Sequence, residues 1–439
     1  MNYPLYIHIP YCLSKCEYCD FFSVPIGDLI LSGGQGRKRG AGRTRDCARI
    51  VPDEYVTALC NEIRYRKEKY NAEKWSTIYI GGGTPSLLSA CQINKITECV
   101  LQDAAQDVEF TMEVNPADVS ADFLRCLSDC GVNRLSLGVQ AFDDDSLSCV
   151  KRRSAAHDVE KSLECVKSHW NGEFSADLIS ALPFQTEKSF VSGLKRLLDY
   201  KPHHISLYSL TIEEETPLFK RIASKEIPYN YDEADALWLL GKETLEKNGW
   251  RAYEVSNFYN EEIGRPCVHN MAYWNMHSYI GAGSGGTGSL YGGKSIRYTN
   301  SRNIAAYIDF WSNWRGVGDE GDSYCGQYVR GVLSPIDESV SNAVTYREIA
   351  LPQDVELLEK SDEELEFFMM GLRLYEGICL EDFKSRFSKE IPRHYCTVMD
   401  TWKKKNLAEY YKKQGRTSFC LTREGILFLN EFLREMLVV

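Results

Sequence analysis

The sequence predicts an α/β protein: a partial, TIM-like (β/α)6 barrel followed by a small, winged-helix-like helical domain. Two observations carry the barrel. Short apolar runs alternate with amphipathic helical stretches from the amino terminus to about residue 250, as expected of βα units around a parallel sheet. Polar side chains also recur at the carboxyl ends of successive runs, the rim where such barrels place their sites. A third observation carries the second domain. Beyond a polar stretch, residues 362–439 return to helical periodicity with one β-like segment.

The strand candidates are, in order, Leu5–Ile9, Thr77–Ile80, Val108–Val114, Arg134–Val139, Ser175–Ile179 and His204–Leu210. Helical patterns near 53–69, 89–103, 119–129, 155–169 and 187–199 separate them, and another spans 231–248. In the first helix Val56, Leu59 and Ile63 share one face, while Glu62, Arg66 and Lys67 share the other. Residues 1–250 are therefore the barrel and 251–312 an extension of it.

Two segments break the alternation. Residues 25–51 interleave Gly33, Gly34, Gly36, Gly40 and Gly42 with Arg37, Lys38, Arg39, Arg43 and Arg45, the composition of a flexible insertion. Residues 313–361, rich at first in Gly, Ser and Asp, read as a linker. The last unit has helical patterns at 362–374, 380–387 and 393–404, a polar turn around Gly415, a β-like Ser418–Thr422 and a helix over 423–437.

Composition bounds the function. A formal charge of −11 argues against a nucleic-acid partner. No run approaches the ~18 apolar residues of a transmembrane segment, and the amino terminus lacks a basic n-region, so a cytoplasmic protein is expected. In that compartment the 16 cysteines read as thiols rather than disulfides. Cys60, Cys91, Cys99, Cys126, Cys130, Cys149 and Cys165 fall in helical patterns and read as small core residues.

The remaining chemistry is concentrated in motifs. Directly after the first strand comes Cys12-Leu-Ser-Lys-Cys16-Glu-Tyr-Cys19. Three thiolates in one loop can hold three irons of a cubane cluster and leave the fourth open to an exogenous ligand. Zinc is the alternative, but it would want a fourth protein ligand, and His8 belongs to the preceding strand. Gly81-Gly82-Gly83-Thr84 follows the second strand, where absent side chains let a ligand approach the backbone. Glu113, Gln140 and Asp177 end the next three strands, and Arg152 follows a short helical turn. His269-Asn270-Met-Ala-Tyr273-Trp274 is a further candidate, although an isolated histidine is more often structural than ligating. Gly281-Ala-Gly283-Ser-Gly-Gly286 spells a dinucleotide fingerprint without the βαβ context that gives it meaning, and that reading is set aside.

Tyr-Ile-His-Ile-Pro-Tyr-Cys12, the cysteine triplet, Gly-Gly-Gly-Thr-Pro-Ser, Glu-Val-Asn-Pro and Gly-Val-Gln together resemble the radical SAM family of oxygen-independent coproporphyrinogen III oxidases and their heme-chaperone paralogues. The likeness covers roughly residues 1–300 and is weaker beyond. It implies a radical SAM barrel with a 4Fe–4S cluster on Cys12, Cys16 and Cys19 and S-adenosylmethionine on the open iron. It further implies that Tyr6 and Tyr18 pack around that cofactor and that Gly82, Gly83 and Thr84 hold its methionine end. Glu113, Gln140, Arg152 and Asp177 would hold its ribose and polar groups.

Two features of the resemblance separate an oxidase from a chaperone. The oxidases have a further cysteine where this chain has Phe21, and the chaperones share the His-Asn-x-x-Tyr motif. The chaperone branch implies heme carriage to acceptors such as cytochromes and a possible homodimer. His269 would be the axial heme ligand, with Cys267 as a rival thiolate and Tyr273 and Trp274 packed on the macrocycle. The alternative is radical decarboxylation of coproporphyrinogen. Thr287 departs from the family, which often has histidine there, as does the insertion at 25–51.

Overall fold

The structure, a computed structural model, describes residues 1–26, 51–314 and 351–437. Six strands lie side by side and parallel: β1 (Asn2–Ile9), β2 (Lys74–Gly82), β3 (Ala104–Val114), β4 (Arg134–Gln140), β5 (Glu173–Ser180) and β6 (His204–Ser209). Between them run α1 (Asp53–Lys69), α2 (Ala90–Leu101), α3 (Ala121–Asp129), α4 (Asp144–Cys149), α5 (Ala156–His169) and α6 (Glu187–Leu198). After β6 come α7 (Pro217–Ala223) and α8 (Tyr231–Lys247). The starts of these helices are locally encoded. Ser89 and Thr186 each accept the backbone N–H three residues on, and Gln92 and Ser189 return the bond to the cap N–H.

Strand alternation separates two environments. In β1, Leu5, Ile7 and Ile9 are fully buried in the apolar core with α1 residues Val56, Leu59 and Ile63. Tyr6 and His8 point the other way, into the concave face. That face is polar along the sheet: Tyr79 lies level with Thr111, Glu113 with Ser136, Ser175 with His204 and Asp177 with Ser206.

The sheet does not end at residue 250. β7 (Trp250–Ala252) straddles that boundary, and β8 (Asn257–Asn260) runs antiparallel between it and β6. β9 (Ile280–Ala282) adds to the opposite edge, parallel to β1. The nine-stranded order is β9-β1-β2-β3-β4-β5-β6-β8-β7. What the sequence presents as an extension thus supplies both edges of the sheet. Helix α9 (Val268–Trp274) lies between those edge strands in the chain.

The expected linker also needs correction. α10 (Ile304–Ser312) precedes it, residues 315–350 lie outside the described residues, and β12 (Gln353–Leu358) is a strand. It pairs with β11 (Ser295–Asn300), which pairs in turn with β10 (Thr287–Leu290). A buried polar network fixes this small sheet to α1. Glu62 takes hydrogen bonds from Arg66, Asn300, Tyr307 and the Gly283 N–H, while Arg66 also reaches Gln353 at 2.9 Å. Of the insertion expected at 25–51, residues 27–50 lie outside the described residues. Its ends are anchored, for Ile26 and Val51 are buried in the core.

The last unit has its own core around Phe368, Phe383, Trp402, Phe419 and Phe432. It contains α11 (Lys360–Gly371), α12 (Leu380–Phe387), α13 (Arg393–Lys404) and α14 (Leu429–Leu437). A three-stranded sheet of β13 (Ile378–Cys379), β14 (Ala408–Lys413) and β15 (Arg416–Leu421) completes the winged-helix-like arrangement, with the hairpin turn at Gln414–Gly415.

Candidate functional site

β1 delivers Cys12 to the carboxyl rim of the sheet, with Cys16 and Cys19 in the loop that follows. The Cys19 N–H closes a turn on the Cys16 carbonyl at 3.1 Å. Buried Glu17 docks that turn on its neighbours through ion pairs to Arg221 and to Lys151, the latter at 2.7 Å. Its own N–H donates to Val150 and its carbonyl accepts from Leu218. The loop is therefore held from outside, independent of the thiols.

Those thiols have donors aimed at them. The Thr84 hydroxyl donates to Cys12 Sγ at 3.4 Å and Arg152 Nη1 to Cys16 Sγ at 3.7 Å. Burial pushes the Cys19 thiol up, and the proximity of Cys16 and Cys12 adds to it. Arg152 Nε is buried with no partner among the described residues, a donor still available in the site. Sulfurs within reach of one another's charge, two of them hydrogen-bonded, fit a thiolate-held iron–sulfur cluster.

The nine residues expected around S-adenosylmethionine belong to β1–β5 and to the connections that follow them. Tyr18 is beside Cys16, Cys19 and Arg152. Arg152 Nη2 donates to the Gly138 carbonyl at 2.8 Å. A Cβ on Gly138 would meet Arg152 Nη2 at 2.7 Å and Gln140 Nε2 at 3.0 Å, so that glycine lets the two converge. Gln140 itself ends β4 in the left-handed region, φ 67°. Glu113 accepts from the Tyr79 hydroxyl at 3.0 Å and the Gly82 N–H at 3.1 Å. Burial, and then the charge of Asp177, push the Glu113 carboxyl up to about 7. Burial likewise raises Asp177, which accepts from Ser136 at 2.9 Å.

The glycine run has a packing reason of its own. The space beside Gly81 is filled by Glu113, that beside Gly82 (φ +113°) by the His8 ring, and that beside Gly83 by the Tyr11 backbone. The Gly82 N–H goes to Glu113 and the Gly83 N–H to the Ile9 carbonyl. These glycines let β1, the cysteine loop and β3 close on one another, and the N–H groups of Gly82 and Gly83 are already bonded within the chain. His8, weighed in the sequence only as a zinc ligand, has a structural role. Its Nε2 hydrogen-bonds the Phe22 carbonyl at 2.9 Å, so it carries the proton there and Nδ1 accepts from the Tyr6 hydroxyl at 3.0 Å. It thereby ties the exit of the cysteine loop to the sheet.

The His-Asn-x-x-Tyr motif lies elsewhere. His269 is 1% exposed and stacks on Tyr79 at 5.0 Å. Its Nδ1 is hydrogen-bonded to Thr77 and its Nε2 to Tyr273, both at 2.7 Å. Burial first, then the charge of Arg134, push the imidazole down to about 3, so it is neutral. Glu109 caps the helix by accepting the N–H groups of Val268 and His269 and the Cys267 thiol at 3.3 Å. Cys267 is equally buried, and burial pushes its thiol up to about 12. The two residues expected as heme ligands, His269 and its rival Cys267, are both enclosed in this structure. Both imidazole nitrogens already satisfy hydroxyls inside a polar sheet face, and neither side chain reaches the surface. Tyr273 serves His269 and Trp274 lies under Arg373, 5.0 Å from its ring centroid. The i,i+4 spacing of His269 and Tyr273 could have signalled their pairing; nothing local signals Thr77.

Comparison with known proteins agrees with this architecture. The family described as "Radical SAM superfamily" matches residues 6–197, and "HemN C-terminal domain" matches residues 358–428. The chain is 32% identical to "Heme chaperone HemW" of Lactococcus lactis, over 89% of this chain and 86% of that protein. It is 28% identical to "Heme chaperone HemW" of Escherichia coli, over 99% and 97%. In fold it is similar to the solved coproporphyrinogen III oxidase (HemN) of Escherichia coli, a radical SAM enzyme, with a TM-score of 0.71 at 18% identity, covering 99% of this chain and 90% of that one.

Proposed function

The chain belongs to the HemW family of radical SAM proteins, and from that premise we propose that it is a heme chaperone. It holds a 4Fe–4S cluster on Cys12, Cys16 and Cys19, binds S-adenosylmethionine beside it, and carries heme to acceptor proteins such as cytochromes. The observation that favours this over porphyrinogen decarboxylation is Phe21, which stands 71% exposed where the oxidases have a further cysteine.

When bound, the cluster and S-adenosylmethionine supply one-electron reduction of a sulfonium, whether or not the delivery cycle uses it. The chain's own residues do the holding. Thr84 and Arg152 donate to the Sγ atoms of Cys12 and Cys16 that would ligate the cluster, while Glu113, Gln140 and Asp177 offer polar groups at the same rim. Burial and Asp177 hold the Glu113 carboxyl up to about 7 before any cofactor is bound, and a cofactor ammonium beside it would favour the anion. No helix among the described residues is long and apolar enough to cross a membrane, and we place delivery in the cytoplasm.

The test is to incubate anaerobically reconstituted protein with heme, and separately with coproporphyrinogen, S-adenosylmethionine and reductant. Heme that is retained and then passed to an apo-cytochrome, without decarboxylation, supports the chaperone. Decarboxylation without heme retention overturns it and establishes the oxidase.

A further inference from the structure

With His269 and Cys267 enclosed, the heme-carrying reading needs another surface, and the inference drawn here rests on that reading. Phe21 is the most exposed aromatic side chain among the described residues, at 71%. A lone exposed apolar side chain means little. This one differs in how its backbone is held and in what flanks it.

The chain around it is fixed. Lys15 Nζ donates to the Phe21 carbonyl at 3.1 Å, His8 to the Phe22 carbonyl at 2.9 Å, and the Val24 N–H to the Pro10 carbonyl at 2.8 Å. The next ring, Phe22, turns inward and stacks on His8 at 6.1 Å. It occupies space that only a glycine at 285 leaves, since a Cβ there would stand 2.3 Å from its Cδ1. Phe21 therefore projects outward from an anchored segment, two residues from Cys19.

The flanking charges supply the second feature. Lys15 and Arg302 are exposed, and neither has an ion-pair partner among the described residues of a chain whose formal charge is −11. The Arg302 guanidinium lies 5.9 Å from the Phe22 ring centroid. The exposed Phe21 ring, with Lys15 on its own carbonyl, Arg302 by the neighbouring Phe22 ring and Asp20 as the adjoining anion, matches one kind of cargo, a flat apolar macrocycle bearing carboxylates on one edge.

We propose that heme docks on this face of the cysteine loop, its macrocycle against Phe21 and its propionates toward Lys15 and Arg302. Phe21 then does in this chain what a cysteine at that position cannot: it offers area to a porphyrin. The docking surface adjoins the cluster, so cargo and cluster share one rim.

The experiment titrates cluster-loaded full-length protein with heme and with heme dimethyl ester, which lacks the carboxylates. Wild type, Phe21→Tyr, Phe21→Ser and Arg302→Met are compared, with iron content and S-adenosylmethionine binding measured alongside. Phe21→Ser should weaken both ligands about tenfold and Phe21→Tyr neither. Arg302→Met should weaken heme several-fold, less so as salt rises, and leave the ester unchanged. Wild-type binding that Phe21→Ser does not alter overturns the docking site and leaves the chaperone reading standing. Slower delivery by Phe21→Ser at unchanged heme affinity also overturns it, assigning Phe21 to the acceptor protein instead. Failure of the wild type to bind heme sinks the chaperone reading and this inference together.

Discussion

Cys12–Cys19 and Cys267–Trp274 look alike in one respect, for each sets ligand-type side chains at close spacing beside aromatic residues. The fold treats them oppositely. At the carboxyl rim the loop is held by Glu17, Arg221 and Lys151, so its sulfurs are not needed to hold it and instead receive donors from Thr84 and Arg152. In α9, His269 and Cys267 are themselves the holding groups, engaged with Thr77, Tyr273 and Glu109. Whether a motif can ligate depends on what else its donor atoms must satisfy. A polar sheet face takes its partners from whatever lies over it, because a buried polar atom left unpaired is costly.

The comparison can be broken by exchanging the consequences of mutation. Cys16→Ala should lose most of the iron of reconstituted protein while leaving the unfolding midpoint of the iron-free protein nearly unchanged. Metal analysis and denaturant titration together check this. His269→Ala should do the reverse. It strands the hydroxyls of Thr77 and Tyr273 and opens a cavity, costing about 2–5 kcal/mol of stability by denaturant titration, with cluster iron retained.

The pH dependence extends the contrast, because Glu113 on β3 and His269 on α9 carry opposite signs. Glu113 is raised in the folded chain to about 7, so its contribution to stability is present below its unfolded value of 4.5 and lost as pH rises through about 7. His269 is lowered to about 3, so its contribution is present above its unfolded value of 6.5 and lost as pH falls through about 3. Unfolding titrations of the iron-free protein should show Glu113→Gln removing the falling limb and His269→Gln the rising one. The smallest effect is expected from Thr84→Val. Without the hydroxyl on Cys12 Sγ the cluster should form normally but reduce at a somewhat more negative potential, read by redox titration.

The parallel strands were legible because their outward faces are apolar, as in Leu5, Ile7 and Ile9, and because helices of regular period separate them. Strands with little apolar burial were not. Gln353–Leu358 is mostly exposed and reads as linker, and Ala408–Lys413 is a polar edge strand hidden beside a turn. The cysteine loop was legible because its chemistry lies within eight consecutive residues. The enclosure of His269 was not, since Thr77 is 192 residues away and Glu109 is 160. The glycine run was located from sequence, but the side chains that crowd it, His8 and Glu113, come from other strands and were not.

The most direct test of the account is electron paramagnetic resonance of the reduced, reconstituted protein with and without S-adenosylmethionine, run beside iron analysis. About four irons per chain are expected, with a cluster signal that changes when S-adenosylmethionine is added, both abolished by Cys16→Ala and both kept by His269→Ala. Zinc in place of iron, a signal indifferent to S-adenosylmethionine, or a cluster that disappears with His269 rather than with Cys16 would contradict it.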